Sequence, residues 1–446
     1  MASSSRTVIR GGRVLTMDEH GTELPVGDVL LADGVITEVG PELAVPPGTE
    51  VIDASGSLVL PGFVDTHRHT WQTPLRHLGA QWSLADYLRY VLGDLGARFR
   101  PEDVYAGTLL GALGALDAGI TTLVDWAHVQ NTPAHSDASV AALRDAGIRA
   151  VFGHGWSLAG DWLGTPAPHP ADIRRVRTEL LSDDGALVTL AMAAQGPDFV
   201  GIEPTVTDFA LARELGIPIT AHVAGGRADS NRRGIAVLDD AGLLGPDLTL
   251  VHVNGAPEED LRRLADRGGS VSISPQIELT MPGLGAGVAV RRMLTAGLRP
   301  SLSVDSETVA APDMFTQMRF ALAAHRADTP DPEPGSDAAA LPAVEVLRMA
   351  TEYGARAAGL AGRVGSLVPG RAADVVLLRT DSAGLAPVGS AADAVVLAGH
   401  PGLVDTVLVG GRVVKRAGRL VADVDRAREL AAETAGRVTG TLAPAR

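Results

Sequence analysis

The chain has 446 residues, 46% of them hydrophobic and 20% charged, with 52 glycines and a formal net charge of −15. This length suits a large barrel with a smaller unit, and the acidic balance repels phosphate backbones and anionic lipid, so nucleic acid and membrane are not expected partners, whereas a cationic substrate is compatible. Cysteine is absent and the only lysine is Lys415, which removes disulfides, thiolate metal sites and cysteine nucleophiles, and leaves no barrel lysine for a Schiff base or a carbamate bridging two metals.

The opening residues, Met1 to Arg6, lack an apolar signal core, and no apolar run is long enough to span a bilayer, so a cytoplasmic protein is expected. Residues 6–60 read as short strands with glycine turns (7–14, 29–32, 35–39, 51–54), the pattern of an antiparallel β unit. From Leu58 the character changes. Apolar β-type runs alternate with amphipathic helical stretches such as 139–146, 208–215 and 258–267, which predicts βα units around a buried parallel sheet.

The eight runs are 62–69, 121–128, 149–156, 188–195, 218–223, 248–254, 270–276 and 299–307. Eight alternations over about 250 residues predict an α/β fold of the (β/α)8 TIM-barrel class. Beyond it, 329–340 reads as a surface loop and 341–360 as helix, and 365–378 and 404–421 return to short strands. Neither terminal β segment can bury a face alone, so the two are expected to form one small β-sandwich domain. The expected division is 1–60 and 361–446, with a terminal helix, for the small domain and 61–360 for the barrel.

In such a barrel the chemistry sits at the C-terminal strand ends, and these ends carry reactive residues. The first closes with Asp65, His67 and His69, the second with Asp125 and His128, and the third with His154. The fourth ends in Gln195, the fifth in His222, the sixth in His252, the seventh near Gln276 and Glu278, and the eighth in Asp305. His67 and His69, two apart on a strand, point the same way and can grip one ion. His222 supplies a third nitrogen, and Asp305 either takes the remaining protein position or hydrogen-bonds the bound water. His252, on the neighbouring strand, suits a base or an electrostatic clamp on a developing oxyanion. Any one of these histidines alone reads as packing; together they read as a metal centre.

His20, His77, His135, His169, His325 and His400 lie off the strand ends and are expected on the surface, while His128 and His154 stand between substrate contact and plain packing. All five tryptophans lie between Trp71 and Trp162. Trp71, Trp126 and Trp156, with Trp82, Tyr87 and Tyr90, either wall a pocket for a flat or apolar ligand or pack the barrel against a lid. The candidate substrate-binding set is Trp71, Gln72, Trp82, His128, His154 and Gln195.

With these residues in view, the chain resembles the amidohydrolase superfamily, in the branch of cytosine deaminase, S-adenosylhomocysteine deaminase and triazine hydrolases. The markers are LPGFVDTHRH at 60–69 followed by Gln72 and Arg76, AGITTLVD at 118–125, His222, His252, Asp305, and GSLVPGRAAD at 365–374. The resemblance covers nearly the whole chain and implies a mononuclear site with His67, His69, His222 and Asp305 as ligands and His252 beside the water. Departures exist. Where deaminases of this branch carry a proton-shuttling glutamate three residues after the fifth-strand histidine, this chain has Gly225; Gln195 stands where a histidine is frequent, and Glu278 where a Ser-Asn pair is common. Glu278 or Glu307 could replace the shuttle, with an arginine partner or solvent as the plainer role for each.

The expected function is hydrolysis of a C–N bond at an sp2 carbon of a small, cyclic or heterocyclic molecule, with His252, Asp305 and Glu278 as catalytic residues. One divalent metal is expected, zinc first, iron or manganese as alternatives. Amide, cyclic-amide or other C–X hydrolysis, a metal-dependent lyase or decarboxylase on the same scaffold, and a silent ligand-binding relative are the rival readings. A homo-oligomer, as a homodimer, is expected.

Overall fold

A computed structural model of the chain describes residues 6–160, 167–225, 233–284, 287–329 and 341–440. The expected surface loop therefore lies, from 330 on, outside the described residues, as does Trp162.

The N-terminal segment forms β1 (Arg6–Leu15), β2 (Glu23–Ala32), β3 (Val35–Gly40), β4 (Glu50–Asp53) and β5 (Ser57–Pro61). The barrel strands are β6 (Phe63–Arg68), β7 (Ile120–Ala127), β8 (Arg149–His154), β9 (Val188–Ala194), β10 (Ile219–Val223), β11 (Leu248–His252), β12 (Ser270–Ile273) and β13 (Ser301–Leu302). The chain closes with β14 (Val375–Arg379), β15 (Val404–Val409), β16 (Arg412–Arg416), β17 (Arg419–Leu420) and the helix Val424–Thr439.

All eight barrel runs appear as parallel strands in sequential order from β6 to β13. β7 and β9 are buried at every position, as a sheet covered on both faces requires. β12 and β13 are shorter than the sequence suggested; β12 ends where Pro275 opens a helix, Pro275–Thr280, that carries Gln276 and Glu278 off the strand. The seam between β6 and β13 is a parallel bridge from Arg68 to Asp305. There the Asp305 amide donates to the His67 carbonyl at 2.9 Å and the His69 amide donates to the Asp305 carbonyl at 3.0 Å. The opposite end is plugged by Ala355, Ala358 and Leu360 packed on Val64, Val124 and Val151.

The terminal segments meet in one nine-stranded sheet, ordered β17-β16-β15-β14-β5-β1-β2-β3 with β4 on β1. In place of the expected sandwich, the described residues form one continuous hydrogen-bonded sheet with both faces used. Antiparallel β5 and β14 pair Leu60 with Val376 and Leu58 with Leu378, and these four enter the large core shared with the barrel helices. Their alternate neighbours Val59, Val375 and Leu377 enter a small core with Ile9, Val29 and Leu31. The period of two thus sends one face to the barrel and the other to the terminal unit. β5 had been missed because it runs almost directly into β6. Residues 365–374 are not strand; Gly365 (φ 86°) and Gly370 (φ 91°) turn the chain, and a Cβ at Gly365 would lie 2.8 Å from the Thr351 carbonyl oxygen. Asp374, which ends that motif, accepts from Arg149 Nε at 2.7 Å and from the Gly410 amide at 2.7 Å, tying β8 to the terminal sheet. The single lysine has a similar duty: Lys415 is 3% exposed and its Nζ lies 2.8 Å from Asp117 on the helix Pro101–Asp117.

Candidate metal centre and active site

Strand ends from both sides of the barrel bring four imidazoles and a carboxylate together. The ligand nitrogens of His67, His69 and His222 lie within 4.8 Å of one another. His69 Nδ1 meets the Trp126 carbonyl at 2.9 Å; a carbonyl only accepts, so Nδ1 carries the hydrogen and Nε2 the lone pair. That lone pair faces Asp305 Oδ1 at 3.3 Å, and His67 Nε2 stands 3.5 Å from the same oxygen and 3.2 Å from His222 Nε2. Burial pushes the His67 imidazole down to about 4 and holds His222 well below its ordinary value. Burial opposes the Asp305 charge, yet the adjoining His67 and His69 imidazoles hold its carboxyl well below the usual range. Neutral nitrogen lone pairs converging on an ionised carboxylate are the donor set of a divalent cation. The residues present therefore fit a bound metal.

His252, at the end of β11, completes the cluster. Its Nδ1 lies 3.0 Å from Glu278 Oε1 and its Nε2 3.7 Å from Asp305 Oδ2. Glu278 is fully buried and also accepts from the Ser274 amide at 2.8 Å. It fixes the His252 tautomer, so that Nε2 is the atom offered to the site. Burial opposes a charge on His252, but the Glu278 hydrogen bond and Asp305 outweigh it and raise its pKa.

Backbone strain concentrates here. Ala224 (φ 50°), His252 (φ 70°), Val253 (φ 42°) and Asp305 (φ 66°) all occupy the left-handed region, which non-glycine residues adopt at a cost of about 1–3 kcal/mol each where the surroundings over-determine them. For Asp305, both backbone groups at the β6–β13 seam hold that conformation in place.

Over the cluster lies a cavity of about 140 Å³. His69, His128, His222, His252 and Asp305 form its floor; Tyr87, Leu88, Trp156, Ile277, Met281 and Leu284 supply most of the apolar wall, and Asp198 and Gly225 also border it.

The amidohydrolase family profile matches residues 58–414. The chain belongs to the amidohydrolase family. Among relatives, a 5-methylthioadenosine/S-adenosylhomocysteine deaminase of Syntrophobacter fumaroxidans is 30% identical over 94% of this chain and 95% of its own. An adenosine deaminase from Xanthomonas campestris with bound zinc superposes with a TM-score of 0.84 at 24% identity, covering 98% of this chain and 99% of that one. A triazine hydrolase from Arthrobacter aurescens gives 0.83 at 24% identity, with 97% and 99% coverage. The expected family is thus the observed one.

In this amidohydrolase the structure gathers His67, His69, His222, His252 and Asp305 at one point, as the strand-end argument expected. The substrate-binding candidates divide. His128 lines the cavity, stacked on His69 at 4.3 Å between ring centroids. The other five do not border it. Trp71 is fully buried, packed on Phe99, its Nε1 donating to His128 Nδ1 at 3.3 Å. Gln72 donates to the Tyr87 hydroxyl at 2.7 Å and accepts from Ser306 at 2.6 Å behind the wall. Trp82 lies against Tyr90 with the rings tilted by 32° and their centroids 5.4 Å apart. His154 turns away to His169, Nδ1 to Nε2 3.0 Å, and to Asp172. Gln195 is buried where the chain turns at Gly196 (φ 80°), so that Asp198 reaches the cavity in its place.

Both glutamates offered as replacement shuttles are engaged elsewhere. Glu278 stands behind His252, and Glu307 is held by Arg68, from Nε at 3.0 Å, and by Arg76. Three histidines expected on the surface are buried. His135 caps its helix through Thr132 and meets the Phe99 carbonyl, His169 pairs with His154, and His325 lies on the inner side of the helix Met314–Ala327. Asp198 was missed. Its signal is the Gly196-Pro197 turn directly after the fourth strand end, which lifts the next side chain toward the barrel mouth.

Proposed function

We propose that this enzyme hydrolyses a C–N bond at an sp2 carbon of a small ring compound, with release of an amine, and that deamination of an amino-substituted heterocycle is its leading reaction. The observation that carries the reading is the convergence of His67, His69 and His222 with Asp305 at the floor of an apolar cavity.

In this reading His67, His69, His222 and Asp305 hold one divalent ion. Three imidazoles and a carboxylate favour zinc, with iron or manganese as alternatives. When bound, the ion supplies a water of lowered pKa and polarises the acceptor carbon's substituent. The remaining work falls to the chain. Asp305 Oδ2 faces His252 Nε2 at 3.7 Å, so a proton from the attacking water can be taken up by the carboxylate and passed to the imidazole or the leaving nitrogen. Glu278 positions His252 through Nδ1 and supports a positive imidazole. Leu88, Trp156 and Met281 exclude bulk water around the reacting carbon.

Cavity size bears on substrate class. An apolar cavity of about 150 Å³ accommodates benzene, so about 140 Å³ suits a single ring with short substituents better than a nucleoside, the substrate type named in the deaminase relatives. The test is ammonia release by zinc-loaded protein from aminotriazines, aminopyrimidines, purine nucleosides and cyclic amides. Carbon dioxide without water uptake would point to a lyase and overturn the hydrolytic reading. Hydrolysis of amides or cyclic amides is the second reading, favoured by Gly225, where no carboxylate stands to protonate a ring.

We further propose residues 1–60 with 361–446 as a small β domain beside a barrel of 61–360. The small core of Ile9, Val29 and Leu31 supports this division. A homodimer is proposed on the exposed Val26 and Val51 of the terminal sheet, and light scattering tests it.

A further inference from the structure

Two stacked imidazoles stand at the floor of the cavity, and their partners give them opposite polarity. His69 Nδ1 donates to the Trp126 carbonyl at 2.9 Å, so His69 offers a lone pair at Nε2. His128 lies against it with ring centroids 4.3 Å apart and planes 27° from parallel. Its Nδ1, however, meets the Trp71 indole nitrogen at 3.3 Å. An indole N–H can only donate, so His128 Nδ1 is the acceptor and the ring hydrogen sits on Nε2. His128 thus offers no free lone pair to a cation, and it stands outside the group of His67, His69 and His222 whose ligand atoms lie within 4.8 Å of one another.

No described residue takes up that hydrogen. The Trp126 carbonyl is already met by His69 Nδ1 at 2.9 Å and by the His128 amide at 3.3 Å, and no described side chain accepts from His128 Nε2. His128 is 2% exposed and borders the cavity. Trp71, which sets the polarity, is itself held fast. It is fully buried edge-on to Phe99, ring centroids 4.9 Å apart, and the helix Pro101–Asp117 presses on its backbone, where a Cβ at Gly107 would come within 2.5 Å of the Trp71 carbonyl oxygen. The next residue, Gln72, donates to the Tyr87 hydroxyl on the cavity wall at 2.7 Å. The short helical segment Thr70–Leu75, directly after His69, therefore acts on the cavity through two partners without lining it.

We propose that His128 is a specificity-determining residue of this enzyme: its Nε2–H donates to an acceptor atom of the substrate, an unprotonated ring nitrogen or a carbonyl oxygen, and Trp71 is the positioning residue that fixes this polarity. The inference deepens the reading of the cavity as the substrate site and rests on it. In a largely apolar cavity a donor left without a partner is costly, so a ring that presents an acceptor is rewarded, and one that presents C–H or N–H at the same point is penalised.

The test uses zinc-loaded full-length protein. Nitrogen NMR of histidine-labelled protein, with the His128 signals assigned by their loss in His128→Phe, is expected to show one neutral form with the hydrogen on Nε2. Trp71→Phe removes the indole N–H and should bring the Nδ1–H form into view. Two probes of one shape then measure recognition by calorimetry: acetophenone, which carries a carbonyl, and isopropenylbenzene, which has no acceptor. Wild-type protein should bind acetophenone at least about fivefold more tightly, as one added hydrogen bond allows. That preference should vanish in His128→Phe and shrink in Trp71→Phe, with zinc content kept in both. A hydrogen on Nδ1 in the wild type, equal binding of the two probes, or no binding of either overturns the inference. So does a preference that persists in His128→Phe, as it would if the metal alone held the carbonyl. If His128→Phe fails to fold, Trp71→Phe decides: a changed tautomer with an unchanged preference overturns the inference. If wild-type protein turns over aminoheterocycles while the probes show no preference, only this assignment fails. If no C–N substrate of any class is turned over, the hydrolytic reading fails, and the NMR and probe binding still decide the role of His128.

Discussion

Asp305 contacts His67 twice: its amide donates to the His67 carbonyl at 2.9 Å, and its carboxylate Oδ1 stands 3.5 Å from the His67 imidazole. The backbone pair closes the barrel, and the side-chain pair frames the metal centre. Asp305→Asn leaves the backbone pair and side-chain volume intact while removing the charge. It should keep the fold, with a melting temperature within a few degrees of wild type, and lose at least 100-fold in turnover, with weakened metal retention. Melting curves beside elemental analysis separate the two effects, and a variant with full zinc and full activity would refute the assignment.

Metal removal should be visible in stability as well as in rate. Without a cation, His67 and His69 present nitrogens to the Asp305 carboxylate, and His222 Nε2 stands 3.2 Å from His67 Nε2 inside the barrel. A ligand bound at a hundred times its dissociation constant stabilises the folded state by about 2.7 kcal/mol. Chelation should therefore lower the melting temperature, and zinc should restore it in a concentration-dependent way. An unchanged melting temperature would argue against a metal at these residues.

Glu278 acts through His252, so its removal should read as a loss of rate without a loss of binding. Glu278→Gln can still accept the Nδ1 hydrogen but no longer supports a positive imidazole. Turnover is expected to fall about 10- to 100-fold, in the range of a general acid–base contribution, with KM and zinc content little changed. A rise in KM alone would place Glu278 in substrate contact instead.

The buried pair His154 and His169 makes stability depend on pH. Burial lowers both imidazoles, His169 well below its ordinary value, and Asp172, 3.9 Å from His154 Nε2, offsets this in part for His154. Both stay neutral in the folded chain and take up protons on unfolding near pH 6.5. Their contribution is therefore fully present above that value and is lost as pH falls below it. Urea titrations from pH 8 to 5 should show a decline that is shallower in His169→Gln. Parallel declines in the two proteins would exclude this pair as the source.

At Gly225 a Cβ would touch His252 and Leu284 at an ordinary contact distance of 3.5 Å. Gly225→Glu should fold like wild type, and it should speed ammonia release from aminoheterocycles if the missing proton shuttle limits that reaction. Slower release would mean that this position belongs to the substrate.

The cluster at the strand ends was legible because the barrel converts sequence periodicity into convergence: residues at the ends of strands one, five, six and eight must face one another, whatever lies between them. His67, His69, His222, His252 and Asp305 needed nothing further. The wall was less legible because it depends on how each chain leaves its strand. At Gln195 the turn at Gly196 moves the reaching residue on to Asp198, and Trp71 and Gln72 turn into the helical segment after β6 and face Phe99 and Tyr87. His135 and His169 were misplaced because partners distant in sequence bury them, the Phe99 carbonyl and His154. The terminal sheet was half visible. Its strands follow from alternation, but the pairing of β5 with β14 joins segments that no local pattern connects.

The seam between β6 and β13 also joins residues far apart in the chain. His67 and His69 stand early in the chain and Asp305 late, and the seam joins the first barrel strand to the last. Contacts of such long sequence separation form slowly. A folding intermediate that lacks β13 would hold three imidazoles and no carboxylate, a poor trap for a divalent ion. A divalent ion that needs all four residues would be bound only once this seam has formed, so the time course of metal uptake during refolding is expected to report the moment the barrel shuts.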